Sequence, residues 1–190
     1  MTSGYDVVYT WFDHPKKAGH CISGYVIMPN HFHALIAFRN TEGRSINSIV
    51  GTGKRFMAYE LVTRLRNQND LDTLGQQAGW VNATDARKGK QHEVFEPSFD
   101  WKECYSDKFI EQKLDCIHDN PCRGEWNLAG SPVDYAHSSA KFYLTGEQGV
   151  YPITSYGKLK DIDLDESKMN KNRVAQSPRG GRLCRDGIGQ

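Results

Sequence analysis

The chain has no C-x-x-C pair, no long apolar run and almost no net charge, and each absence removes a class of protein. Its five cysteines (Cys21, Cys104, Cys116, Cys122 and Cys184) are odd in number and irregularly spaced. That pattern argues against a disulfide framework and for free cytosolic thiols. Cys116, His118 and Cys122 form a C-x-H-x3-C cluster, which lacks the paired ligand spacing of structural zinc sites and stands as a minor candidate. No segment approaches the roughly 20 apolar residues that span a bilayer. The start, Met1 to Asp6, lacks the basic-then-apolar order of a signal peptide, so a cytoplasmic protein without a membrane partner is the expectation. A net charge of +1 over 190 residues does not by itself announce a nucleic-acid binder.

The charge that is present is unevenly placed. From Glu42 to Arg66 five bases (Arg44, Lys54, Arg55, Arg64 and Arg66) face only Glu42 and Glu60. Between residues 168 and 185 lie Lys168, Lys171, Arg173, Arg179, Arg182 and Arg185 with no acid among them. Such runs are commonly solvated faces, but a phosphate backbone responds to local patches rather than to net charge.

Hydrophobic spacing predicts the elements. Tyr5 to Lys17 reads as a short helix, although Val7-Val8-Tyr9-Thr10-Trp11 would also suit a strand. Tyr25-Val26-Ile27-Met28, the turn pair Pro29-Asn30, and His31 to Phe38 read as a hairpin with a tight connection. Ser45 to Asn67 reads as a long helix in which Gly51 and Gly53 mark a break or a close approach to something bulky. Residues 68 to 91 read as a variable loop or weak helix. Val94 to Tyr105 is aromatic and extended, with Pro97 favouring an edge. Ser106 should cap a helix carrying Phe109, Ile110, Leu114 and Ile117, which stops near Asn120-Pro121 because the residue before proline leaves helical geometry.

Two constellations could carry chemistry. In a strand, side chains at i and i+2 leave one face, so His31 and His33 point together while Phe32 enters the core. Paired imidazoles can grip a divalent ion, and they can equally be two histidines flanking a core aromatic. Cys116 and Asn120, four apart, stack on one helical face. The plain alternatives are a small core cysteine and a helix-capping asparagine.

These blocks carry a resemblance. Gly24-Tyr25-Val26-Ile27-Met28-Pro29-Asn30-His31-Phe32-His33-Ala34 resembles the HUH signature of the single-tyrosine transposases, in particular the REP-associated tyrosine transposases. Gln112 to Pro121 is similar to their helix signature, which usually reads Tyr-Ile-His-x-Asn-Pro, and His137-Ser138-Ser139-Ala140 to their Ser-Ser element. The resemblance runs from about Tyr5 to Tyr156. It implies an α+β, ferredoxin-like or RRM-like domain over 1–156, an antiparallel sheet with packed helices, followed by a polar, basic, loosely ordered tail over 157–190. It implies metal-assisted cleavage and rejoining of hairpin-bearing single-stranded DNA, with Mg2+ or Mn2+ held by His31, His33 and Asn120. DNA phosphates would be gripped by Arg44, Lys54 and Arg55, and aromatics such as Phe99, Trp101 and Tyr105 could stack on bases or fill the core.

The chain departs from that pattern twice. The family's nucleophilic tyrosine is Cys116 here, a shorter side chain whose thiol would form an unusual phosphorus–sulfur link. Strand transfer is therefore expected to be weak or lost, leaving a non-cleaving DNA-binding descendant as the alternative. Tyr105, the nearest upstream phenol, is a poor substitute. Only Met1 to Gly4 precede the first helix, so the family's first strand is expected to be missing, with an uncovered sheet edge and either a monomer or an edge-paired homodimer.

Overall fold

The computed structural model describes residues 4–38, 45–81, 83–87, 89, 91–95, 101–161 and 179–183; at 83–84, 160–161 and 179–183 the description is of backbone alone. The protein is a mixed α+β structure whose chain forms two compact units, Met1–Trp11 with Arg44–Ser98 and Phe12–Gly43 with Phe99–Gln190. Helix α1, Tyr5–Lys17, starts in the first unit and ends in the second. The helical reading of this segment therefore prevails over the strand.

The first unit is built on α2, Ile46–Asn67. Ser45 caps it, its hydroxyl accepting from the Ser48 N–H at 3.2 Å. The buried face is Val50, Gly53, Met57, Val62 and Leu65. Gly53 lies under the Trp11 indole, and a Cβ there would come within 2.0 Å of its Nε1; at Gly51 a Cβ would meet nothing within 4 Å. Close approach thus accounts for one of the two glycines. Arg64 makes a two-pronged bond to Asp6, at 2.8 and 2.6 Å, and reaches Glu60 at 2.8 Å. The polar stretch after α2 is more ordered than its weak periodicity suggested. Asp70 caps α3, Leu71–Gly79, which sets Leu74 against Val62 and Leu65, and α4 follows at Ala83–Arg87.

In the second unit β1, Cys21–Ile27, and β2, Phe32–Phe38, form the expected hairpin, with Tyr25 opposite Ala34 and Val26 opposite His33. The turn is closed by the Met28 N–H donating to the His31 carbonyl at 2.7 Å. Strand β3, Trp101–Cys104, and the backbone of β4, Arg179–Leu183, complete an antiparallel sheet in the order β1-β2-β4-β3. Of the tail expected over 157–190, residues 157–161 are helical and 179–183 form β4; the rest lies outside the described residues, as does Phe99. Helix α5, Asp107–Asp119, follows the Ser106 cap, and α6, Ala140–Thr145, and α7, Tyr156–Asp161, come later.

Alternation along the hairpin separates two faces. Tyr25 and Phe32 meet Phe12 of α1, with ring centroids 5.6 and 6.3 Å apart. On the other face Val26 and Met28 pack on Ile117, and Leu35 packs on Leu114, both from α5. Gly24 permits this approach, since a Cβ there would stand 2.5 Å from Leu114 Cδ2.

The outer edge of β1 is not bare. The Tyr25 N–H donates to Ser139 Oγ at 2.9 Å, and the Ser139 N–H to the Tyr25 carbonyl at 2.9 Å. The Ile27 N–H donates to the His137 carbonyl, while the Tyr135 and Tyr143 hydroxyls donate to the carbonyls of Ile27 and Ser23. The expectation of an uncovered edge is corrected at β1: residues 135–143 of the same chain take up its outward hydrogen-bonding groups, which removes the pull toward a second chain at that edge.

Candidate metal centre and its supporting helix

His33 sits in β2 opposite Val26, and His31 lies two residues earlier at the turn. Their side chains therefore leave the sheet on the side of Val26 and Met28, the face covered by α5. The rings are adjacent, with centroids 5.1 Å apart and planes at 80°. His33 is buried and His31 is half-buried, so one imidazole is fixed by packing and the other meets solvent.

The turn also orients His31. Asn30 Oδ1 lies 2.5 Å from His31 Nδ1, and an amide oxygen can only accept, so the ring proton sits on Nδ1. Nε2 is then the basic nitrogen. A hydrogen bond on the far nitrogen is how metal-binding imidazoles are commonly held in the correct tautomer. Sequence spacing picked out the histidine pair; the orienting role of Asn30 was hidden in what looked like turn chemistry alone.

Helix α5 brings Ile117 onto this same face, with Cys116 and Asn120 as its helical neighbours. Cys116 is exposed, which corrects the reading of it as a small core residue. Asn120 is half-buried and follows the last helical residue, but with φ −50° and ψ −44° it keeps helical geometry in spite of Pro121. The chain changes after it, by running into the 3-10 turn Asn120–Cys122 in which Pro121 lacks an N–H to lose. The helix stops where the sequence predicted, for a different reason, and Asn120 stays in register with Cys116.

His118 does different work from the rest of its cluster. It is buried, and its Nε2 lies 2.8 Å from Ser139 Oγ, the atom that also accepts from the Tyr25 N–H. Burial pushes its pKa down to about 4, so the ring is neutral. Tyr143, its hydroxyl pushed up to about 12 by burial, packs a tilted ring 5.5 Å from His118 and donates to the Ser23 carbonyl at 2.6 Å. These contacts fix the rotation of α5 over β1, and with it the positions of Cys116 and Asn120. Ser139 was visible in the sequence as part of a Ser-Ser element, but its partnership with His118 needed the fold.

The zinc reading of Cys116, His118 and Cys122 does not fare well. His118 turns inward to Ser139 while Cys116 faces solvent, and burial pushes the Cys122 thiol up, against the thiolate that zinc requires. Among the described residues no group of three or more His, Cys, Asp or Glu is placed to hold a metal. Gln112 within α5 and Asn120 at its C-terminal end are the side-chain amides this helix carries, and Asn120 is the one in register with Cys116. Imidazole with an amide oxygen suits Mn2+ better than Mg2+, which favours all-oxygen sites.

Of the expected DNA contacts, Lys54 and Arg55 lie on α2 and line a cleft of about 600 Å3. Arg44 lies outside the described residues. Trp101 is 36% and Tyr105 78% exposed, so Tyr105 is a surface phenol rather than part of the core. Among the described residues no helix is long and apolar enough to cross a membrane. Comparison with protein-family models, with curated proteins and with solved structures finds no match.

Proposed function

We propose that this protein acts on hairpin-bearing single-stranded DNA as a REP-associated, single-tyrosine HUH-type protein on a ferredoxin-like domain. Its metal end would consist of His31, His33 and Asn120, and its cleavage step is impaired at Cys116. The observation that carries the reading is the pairing of the two imidazoles, 5.1 Å apart, on the sheet face covered by the helix that bears Cys116 and Asn120.

Each group has a chemical part in this reading. A divalent ion at the histidines would supply charge to the non-bridging oxygens of a phosphodiester. Asn30 keeps His31 in the tautomer that presents Nε2 as a ligand. His118, through Ser139, positions the helix; it is neutral and turned inward, so it does not touch the reacting atoms. Cys116 stands exposed at the nucleophile position, but its sulfur reaches less far than a phenolic oxygen and forms a poor bond to phosphorus. That exposed thiol favours a second reading, a DNA-binding protein that does not cut.

A labelled hairpin-bearing single strand with Mn2+ distinguishes the readings. The expected result is metal-dependent binding with little or no denaturation-resistant adduct for the natural chain, and an adduct for Cys116→Tyr. A robust adduct from the natural chain would show that cleavage is not impaired. Absence of both binding and adduct in either form would overturn the proposal as a whole.

A further inference from the structure

The cleft on α2 has a chemistry of its own, built wholly within the first unit. Its floor follows one face of the helix, where Gly51 leaves open space. Lys54 and Arg55 stand toward one end and Arg66 toward the other. Arg66 follows Arg55 by eleven positions, about 16 Å along a helix, more than one phosphate group spans. Among the residues lining the cleft, Glu93 is the one acid.

The cations of α2 are divided between two jobs. Arg64 is committed to Asp6 and Glu60 and serves the packing of the unit. Arg66 instead donates to Gln91 Oε1 at 3.1 Å and to His92 Nε2 at 3.3 Å, two neutral acceptors that orient the guanidinium without cancelling its charge. Because arginine only donates, His92 Nε2 accepts and the ring proton sits on Nδ1. That N–H is buried and has no hydrogen-bond partner among the described residues. The contact with His92 and Gln91 holds the Arg66 guanidinium in place at the cleft.

Between the charged ends, Tyr59 lines the cleft and is 70% exposed. Its ring is largely open to solvent. Cations spaced along a groove with an aromatic ring between them are the elements that hold a flexible polyanion whose bases stack.

We propose that this cleft seats a short stretch of single-stranded nucleic acid, with phosphates at Arg55 and Arg66 and a base on Tyr59. The site rests on the nucleic-acid part of the proposed function but uses none of the residues of the histidine pair, so binding in EDTA tests it apart from the metal reading.

The test is fluorescence anisotropy of the full chain with labelled ten-nucleotide oligothymidylate and oligouridylate in EDTA, across a salt series. The two oligomers report whether the sugar matters. At least one should bind in EDTA, with affinity falling as salt rises. Tyr59→Ala should weaken binding about 5-fold or more. Arg55→Gln and Arg66→Gln should each weaken it and make the log–log salt slope shallower by about one. All three side chains are exposed, and an unchanged melting curve shows that each variant is folded. The proposal is overturned if EDTA abolishes binding, if the variants bind like the natural chain, or if thymidine monophosphate displaces the oligomer as effectively as an unlabelled ten-mer does.

Discussion

His118 makes the fold sensitive to acid. Its ordinary pKa of 6.5 falls to about 4 in the folded chain because charging it would strand a cation away from water. Above pH 6.5 both the folded and unfolded states hold it neutral. Between 6.5 and about 4 the unfolded chain binds a proton that the folded chain refuses, so stability falls as pH falls, by about 3 kcal/mol across the window. Burial lowers the pKa of His137 as well, in the same direction. Urea unfolding at pH 7.5 and pH 5 should therefore show a loss in the natural chain that is smaller in His118→Gln. Equal losses would mean that His118 titrates in the fold as it does in water. Its partner gives a second residue-scale expectation. Ser139→Ala leaves the buried Tyr25 N–H and His118 Nε2 unsatisfied and should cost about 2 kcal/mol, measured by the same unfolding at pH 7.5.

At the scale of elements, the two glycines of α2 should behave oppositely. Gly53→Ala drives a methyl group into the Trp11 indole, a rigid ring, and should destabilise the chain by about 2 kcal/mol. Gly51→Ala meets open space in a helix interior and should stabilise it by about 1 kcal/mol. Thermal melts of the two variants check both signs. The sequence could show that a glycine was out of place in this helix, but not which one faced the indole, because that depends on where α1 lies. The elements themselves were legible wherever a cap and a period agreed: Ser45 and Ser106 start their helices as read, and the hairpin turns at Pro29-Asn30. They were illegible where a cap stood without a strong period, as at Asp70 and α3. The covered edge of β1 was illegible too, since it depends on carbonyls and hydroxyls from Tyr135, His137, Ser139 and Tyr143, a segment that no strand pattern marks.

At the scale of the whole molecule, the chain holds two chemically distinct places in two compact units, a paired-imidazole face in one and a basic cleft in the other. The first was half visible in advance. Two-residue spacing placed His31 and His33 on one face, and four-residue spacing placed Cys116 and Asn120 together, but only the packing of Ile117 on Val26 and Met28 puts that helix over that face. The second was visible as charge alone; the division of labour between Arg64 and Arg66 belongs to the tertiary structure. Calorimetric titration of the chain with Mn2+ tests the proposed metal site at the histidine pair. One equivalent should bind to the natural chain and to Cys116→Ser, bind more weakly to Asn120→Ala, and fail to bind to folded His31→Ala. A natural chain that takes up no Mn2+, or a His31→Ala variant that binds it as tightly, would show that the histidine pair is not the metal site.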